Sequence, residues 1–202
     1  MTTIGTTDEL TAPLGSANVG HLVFLRGASH LTIGVDGSMD ALYRARFDGK
    51  VPDVGVEEGT VAVRYRPSLH ATHGEFTLSG RIPWDIEGRW GMSHVVADLE
   101  DLELTDLRIS GGCSDIEMRL PRPSRAVRIR IGGGASQVEL IRPTGVPLGV
   151  HIGGGASNLA VDDFLLGSAG GKTDWRSPDY DEAAARYDIE IGAGASRLTI
   201  RT

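Results

Sequence analysis

The sequence predicts an all-β, solenoid-like stack of short strands, and three observations support that fold class. The motif IGGGAS occurs at residues 131–136 and again at 152–157. Apolar and polar residues alternate on both sides of it, which is the pattern of strands with one buried face. The composition, with 28 glycines and 5% aromatic residues, favours many tight turns over long packed helices.

The motif belongs to a repeat of about 21 residues that can be anchored on its serine. Successive anchors are separated by 21, 22, 21 and 39 residues: Ser93, Ser114, Ser136, Ser157 and Ser196. An earlier copy ends at Ser29, and its distance of 64 residues from Ser93 is close to three repeats. Two short strands cannot bury their own apolar face, so the copies are expected to stack as in a solenoid.

Each repeat is predicted to contain a strand, a glycine-rich bend, a second strand and a turn. Every neighbouring copy bends at the same place, so the bends must be narrow. Glycine suits them because it tolerates unusual dihedral angles and lets backbones approach closely. The sequence therefore assigns a structural corner to six residues: Gly133, Gly134, Ser136, Gly154, Gly155 and Ser157.

A single domain is expected over residues 1–202, with the clearest repeats at 84–202. The first 20 residues are interpreted as a polar, mobile lead-in. Residues 177–186 combine a serine, a proline and acidic residues in a pattern that favours a short helical turn. Trp175 and Tyr180 are then expected to cover the core near one end of the stack, as terminal repeats require.

The residue after each anchor serine is polar and varies between copies. We expect these residues to point outward and to stack as a column, because side chains alternate between the two faces of a strand. They form the candidate interaction surface: His94, Asp115, Gln137, Asn158 and Arg197. His30 holds the same position in the first copy.

The charge balance disfavours two classes of partner. The formal net charge is −7, so nucleic acid and anionic membrane surfaces would repel the chain. No apolar run approaches the roughly 20 residues of a membrane helix, and the N-terminal stretch lacks the features of a secretory leader. We predict a cytoplasmic protein without direct membrane insertion.

No residue set predicts catalysis, a cofactor or a metal site. The stretch GSAGGKT at 167–173 imitates a phosphate-binding loop, but its first glycine comes one residue too late and no helix start follows. His70 and His73 lack completing metal ligands. The serines recur as scaffold, so none is distinguished as a nucleophile. Cys113, the one cysteine, stands where other copies carry alanine and is predicted to be buried.

A family resemblance is carried by the run from Trp84 to Pro121, WDIEGRWGMSHVVADLEDLELTDLRISGGCSDIEMRLP, and by the two IGGGAS copies that follow. These residues resemble the toastrack superfamily, which includes bacterial putative-adhesin domains and the C-terminal domains of cell-wall-stress response proteins. The resemblance implies a solenoid-like stack and an interaction or sensing module in envelope-stress signalling. It brings no catalytic residue. Many members carry a membrane helix, which this sequence does not show.

The sequence therefore predicts a non-catalytic interaction or sensor scaffold that binds a partner protein, as a monomer or a small homo-oligomer. One alternative is a self-assembling structural protein similar to bactofilins, which requires open ends. Another is a carbohydrate-active β-helix enzyme, which requires a groove with clustered carboxylates and basic residues. Fold alone does not decide among them.

Overall fold

The computed structural model describes residues 8–66 and 73–202, and these contain 19 strands and no helix. In chain order the strands are β1 (Asp8–Pro13), β2 (Gly20–Phe24), β3 (Ala28–Asp36), β4 (Ala41–Asp48), β5 (Asp53–Glu57), β6 (Thr60–Arg64), β7 (His73–Ser79), β8 (Trp84–Gly88), β9 (Met92–Asp98), β10 (Leu104–Ile109), β11 (Cys113–Arg119), β12 (Ala126–Ile131), β13 (Ala135–Ile141), β14 (Leu148–Ile152), β15 (Ala156–Val161), β16 (Phe164–Ala169), β17 (Thr173–Arg176), β18 (Arg186–Ile191) and β19 (Ala195–Arg201). The predicted all-β class is confirmed.

The strands form two sheets. Sheet A has the order β1-β4-β7-β3-β9-β11-β13-β19-β15-β16, and sheet B has the order β17-β14-β18-β12-β10-β8-β2-β6-β5. Neighbours inside both sheets are parallel, as in β9–β11 and β10–β12. Antiparallel strands stand at the ends: β1 and β4, β16, β5 and β17. Each parallel run is therefore bounded by a reversed strand at either end: β4 and β16 in sheet A, and β5 and β17 in sheet B. Strand β1 lies outside β4 and runs in the direction of the parallel strands.

The chain passes six times from a sheet B strand through a short bend to a sheet A strand. The pairs are β2–β3, β8–β9, β10–β11, β12–β13, β14–β15 and β18–β19. Each anchor serine is the second residue of its sheet A strand, so Ser93, Ser114 and Ser136 lie side by side. This arrangement confirms the predicted repeat of two strands around a glycine-rich bend.

The repeats do not stack in chain order. Strand β19 lies between β13 and β15, so Ser196 is the in-register neighbour of both Ser136 and Ser157. Ser29 directly adjoins Ser93 despite the 64 residues between them. The 64 residues between them do not form repeats that intervene in the stack, because β4 to β7 extend the two sheets beyond β3 and β2.

The core lies between the sheets and consists of their inward-facing apolar side chains. Matching positions carry similar residues, as where Ile129 of β12 pairs with Ile189 of β18. Trp84 is fully buried, and its indole Nε1 donates a hydrogen bond to the carbonyl oxygen of Ser79 at 2.8 Å. This bond satisfies the polar end of a large apolar side chain away from water.

The bends are narrow because the backbone of one bend lies directly against the next. A Cβ atom placed on Gly133 would lie 2.6 Å from the backbone nitrogen of Gly112. One placed on Gly154 would lie 2.9 Å from the nitrogen of Gly194. Neither Gly133 nor Gly154 has a positive φ. Close approach therefore explains glycine at these positions, and unusual dihedral angles do not.

The stretch Gly167–Thr173 covers the end of β16, the bend at residues 170–172 and the first residue of β17. Strand β16 pairs antiparallel with β15, and β17 pairs antiparallel with β14. A phosphate-binding loop leads into a helix whose N-terminus faces the phosphate. Here the bend leads into strand β17, so the stretch resembles a phosphate-binding loop in sequence but not in structure.

Residues 177–186 form hydrogen-bonded turns in place of the expected helical turn. The amide of Tyr180 donates to the carbonyl of Ser177 at 3.1 Å, and that of Ala183 donates to the carbonyl of Tyr180 at 3.4 Å. Two successive bonds of this short span close turns without starting an α-helix.

The two aromatic residues near this insert have different roles. Trp175 packs against the core, as expected. The ring of Tyr180 instead lies on Gly149, on the outer face of sheet B. The guanidinium groups of Arg176 and Arg186 lie 4.9 and 4.8 Å from its centroid. Tyr180 therefore covers a sheet surface, stabilised by cation–π contacts, and leaves the end of the core to Trp175.

Two sequence predictions fall partly on residues that the structure does not describe. The lead-in expected over the first 20 residues contains β1, which pairs with β4, while residues 1–7 lie outside the described residues. His70 also lies outside them. His73 begins β7 at the surface, and its Nε2 lies 3.5 Å from the hydroxyl of Thr32.

Candidate interaction surface

The residues that follow the anchor serines cross the outer face of sheet A in a single line, here called the polar column. Its order follows the strand order: His30, His94, Asp115, Gln137, Arg197 and Asn158. Sequence analysis proposed the same residues but placed Asn158 beside Gln137. The structure inserts Arg197 between them because β19 separates β13 from β15.

Every member of the polar column has a left-handed backbone conformation, which sequence analysis missed. Their φ angles lie between 51° and 57°. The pairing passes from serine to serine and then skips to the second residue after it on both strands. Each column residue therefore bulges out of the ladder, and because all the strands do so at the same position the register is unchanged. Residue type could have signalled this, because asparagine, aspartate and histidine are enriched in this conformation among residues other than glycine.

The repeated bulges cost stability and turn a row of side chains toward the outer face of sheet A. Each of these backbone conformations is sparsely populated and costs on the order of 1 kcal/mol or more. Six of them stand in one row of the stack. The bulge turns the side chain after the serine outward, and the strand spacing of about 4.8 Å holds neighbouring column residues beside one another.

Neighbouring column residues interact with one another. The rings of His30 and His94 are stacked, with centroids 4.6 Å apart and planes at 3°. Nε2 of His94 lies 3.7 Å from a carboxylate oxygen of Asp115. Further along, a guanidinium nitrogen of Arg197 donates to the amide oxygen of Gln137 at 2.7 Å. These contacts order the side chains and leave donors and acceptors directed to solvent.

A second row flanks the polar column two residues further along the strands. It contains Val96, whose side chain is exposed to 51%, and the carboxylates of Glu117 and Glu139. Arg201 donates to Glu139 at 2.6 Å. Column and second row line a shallow, open depression of about 590 Å³. The depression mixes apolar, acidic and hydrogen-bonding groups, which suits a protein surface better than an enclosed small molecule.

The nucleophilic groups near the column are structural. Cys113 is buried, and this burial raises the pKa of its thiol to about 12, so the thiol stays protonated and unreactive near neutral pH. The hydroxyl of Ser196 donates to that of Ser136 at 3.2 Å. No three His, Cys, Asp or Glu side chains come together as metal ligands anywhere in residues 8–66 and 73–202.

The outer face of sheet B carries a different surface that sequence analysis did not expect. An open groove of about 790 Å³ is lined by carboxylates and arginines, among them Asp85, Asp106, Asp188 and Arg128. Three of the carboxylates have partners: Nδ1 of His21 lies 3.0 Å from Asp85, Arg108 lies 2.9 Å from Asp106, and Arg186 lies 3.3 Å from Asp188. The groove thus combines surface ion pairs with the carboxylate of Glu103, which has no ion pair among the described residues.

These observations define the class of the molecule: a β-solenoid-like scaffold with two differently patterned faces. Its fold is similar to that of a solved structure described as a putative cell adhesion protein from Clostridium sporogenes. The similarity covers 96% of this chain and 98% of that chain, with a TM-score of 0.69 and 17% sequence identity. No protein-family model matches the sequence, and no curated protein is similar to it. In the part of the chain that the structure describes, no helix is long and apolar enough to cross a membrane.

Proposed function

We propose that the protein is a non-catalytic interaction module and that the polar column of sheet A is its binding surface for a partner protein. The observation that carries the proposal is the row of six outward-turned bulges, each of which costs stability. Conformations of this kind cluster at functional sites. A row of varied polar side chains at strand spacing offers a partner a pattern that is specific to this chain.

The fold comparison supports the general role and leaves the finer one open to test. The structural neighbour is described as a putative cell adhesion protein. Cell adhesion is an interaction function. The toastrack resemblance adds envelope-stress signalling as the pathway and a sensor role as the activity. The envelope-stress pathway and the sensor role rest on this resemblance alone. The cytoplasmic location stays a prediction.

The two alternatives differ in the surface they need. A bactofilin-like filament requires open edges at both ends of the stack, whereas β1 and β5 at one end carry charges or a proline, which oppose pairing. A carbohydrate-active enzyme requires free carboxylates in a groove. The groove of sheet B has carboxylates, which favours this alternative, but Asp85, Asp106 and Asp188 are held in ion pairs. Of the described carboxylates that line the groove, this leaves Glu103 without an ion pair, whereas glycoside hydrolysis uses a pair of carboxyl groups.

Site-specific photo-crosslinking tests the proposed surface. A photo-reactive amino acid is placed at Gln137 in the polar column and, as a matched control, at Arg128 on sheet B of the same repeat. Crosslinking is carried out in cells of the native host, and adducts are identified by mass spectrometry. We expect one discrete protein adduct from Gln137, at least about tenfold stronger than from Arg128.

Two substitutions in the polar column test whether the adduct depends on its side chains. Asp115→Ala and Arg197→Ala change exposed side chains and should leave the melting temperature within a few degrees of the parent. They should nevertheless weaken the adduct formed from Gln137. An adduct formed from Arg128 alone would move the binding surface to sheet B and contradict the proposal. Equal adducts from both positions would contradict it as well.

A further inference from the structure

Strand β16 is an edge strand with unusual properties. It is the last strand of sheet A and pairs with β15 on one side, and no strand of residues 8–66 and 73–202 pairs with its other side. Its sequence, FLLGSA, has no charged residue and no proline. Leu165 is exposed to 76%, and Phe164 to 36%. An uncharged, apolar edge of this kind is a template for pairing with another strand.

The other three edge strands carry the protection that β16 lacks. Strand β1 contains Glu9 and ends at Pro13, and β5 contains Asp53 and Glu57. Strand β17 contains Asp174, which pairs with His151, and is followed closely by Pro178. Charges and prolines on edges oppose unwanted pairing. The contrast singles out β16 as the edge that is built to be covered.

The bend after β16 also indicates that a neighbouring chain covers this edge. Interior bends need glycine because a Cβ atom would contact the backbone of the next bend, as at Gly133. The bend after β16 contains Gly170 and Gly171. Gly171 has a φ of 126°, which favours glycine by itself, but a Cβ atom on Gly170, or on Gly167 inside β16, would meet nothing within 4 Å. The packing of the chain therefore does not require glycine at 167 or 170, whereas a neighbouring backbone stacked on this edge would.

The charges around β16 indicate which neighbour fits. Asp163 immediately precedes the strand and Lys172 follows its bend. Both are exposed, and neither has an ion-pair partner among the described residues. In an antiparallel pair of two β16 strands, the Asp163 end of one copy lies beside the Lys172 end of the other. The edge is thus complementary to itself in charge, while its uncharged middle avoids repulsion between like charges.

We infer that β16 is a self-association edge, through which two copies of this chain pair antiparallel about a two-fold axis. The pairing joins the two copies of sheet A and covers Phe164 and Leu165. Such an interface is closed, because the protected edges at the opposite end offer no second site. The inference concerns a surface separate from the polar column, so each can fail without the other.

Sedimentation velocity of the full chain between about 1 and 100 μM tests this inference. The wild type should convert with concentration to a species of twice the 21.4 kDa chain mass. Asp163→Lys and Lys172→Asp each place like charges at the interface and should raise the dissociation constant at least about tenfold. The double variant exchanges the charges and should restore it to within about threefold.

Glu57→Lys is the matched control. It makes the same change in net charge as Asp163→Lys on the exposed edge strand at the other end of the stack. It should leave the dissociation constant unchanged. A monomer at 100 μM, a dimer that ignores both single variants, or one that responds equally to Glu57→Lys would overturn the inference. Assemblies that grow beyond two chains would overturn the closed two-fold geometry.

Discussion

Replacing Gly133 by valine lowers the free energy of unfolding by about 3 kcal/mol, because even the Cβ atom has no room. That atom would lie 2.6 Å from the nitrogen and 2.8 Å from the Cα atom of Gly112. Both belong to the backbone of the adjoining bend, which cannot move away without breaking the hydrogen bond from the Gly133 amide to the Gly111 carbonyl at 2.9 Å. Overpacking of this kind typically costs 1–3 kcal/mol, and the two γ methyl groups add to it. Urea unfolding followed by circular dichroism measures the change.

Gly170→Val is the control for this effect. Gly170 lies in the terminal bend, its φ is not positive, and a Cβ atom there would meet nothing within 4 Å. The control should stay within about 0.5 kcal/mol of the parent, as surface substitutions usually do. Equal losses for Gly133→Val and Gly170→Val would show that stacking of bends is not why the interior positions are glycine.

The second large effect is expected at Trp84, where alanine should lower the free energy of unfolding by about 4 kcal/mol. The indole is fully buried, and its ring lies so close to Gly20 that a Cβ atom there would be 2.4 Å from it. The substitution leaves a cavity between the sheets and removes the hydrogen bond to the buried Ser79 carbonyl. Chemical denaturation gives the loss directly.

Trp90→Ala provides the matching control with the same change of side chain. Trp90 is exposed to 65% in the bend between β8 and β9. Its loss should change the free energy of unfolding by no more than about 0.5 kcal/mol. A loss at Trp90 as large as that at Trp84 would mean that the core does not lie between the two sheets as described.

The repeat in the sequence predicted the strands and the bends, because both depend on local pattern. Alternating apolar residues place Ile129 and Ile189 on the inner face, and the glycine motif marks each bend. The order of the copies could not be predicted in this way. All copies share the same alternation, so a parallel ladder accepts them in any order, and only the path of the chain between them decides it.

That path explains the 39-residue step before Ser196. After β15 the chain runs back along the end of the stack as β16 and β17. The turns of residues 177–186 then bring it over sheet B, and β18 and β19 enter beside β12 and β13. Reversed strands have the same alternation as parallel ones, so their direction was not visible in the sequence.

The candidate surface was predictable in composition but not in geometry. The position after each serine is polar in every copy, which places Asp115 and Gln137 on one line. The left-handed conformation has a partial local signature, because histidine, aspartate and asparagine favour it while arginine and glutamine share it. The neighbours within the line depend on strand order, so the contact between Arg197 and Gln137 followed only from the structure.

The central structural feature is the position of β19 between β13 and β15, because it sets the order of the polar column. Cysteine pairs in a Cys113→Ala background test it directly, with Glu139→Cys combined either with Thr199→Cys or with Ala160→Cys. Glu139 pairs with Thr199, and Thr199 pairs with Ala160. One strand spacing, about 4.8 Å, permits a disulfide, whereas two spacings exceed the limit of about 7 Å between Cα atoms. Under oxidising conditions the 139–199 pair should crosslink within the chain and the 139–160 pair should not. Crosslinking of 139 with 160 instead would show a stack in chain order and contradict the account.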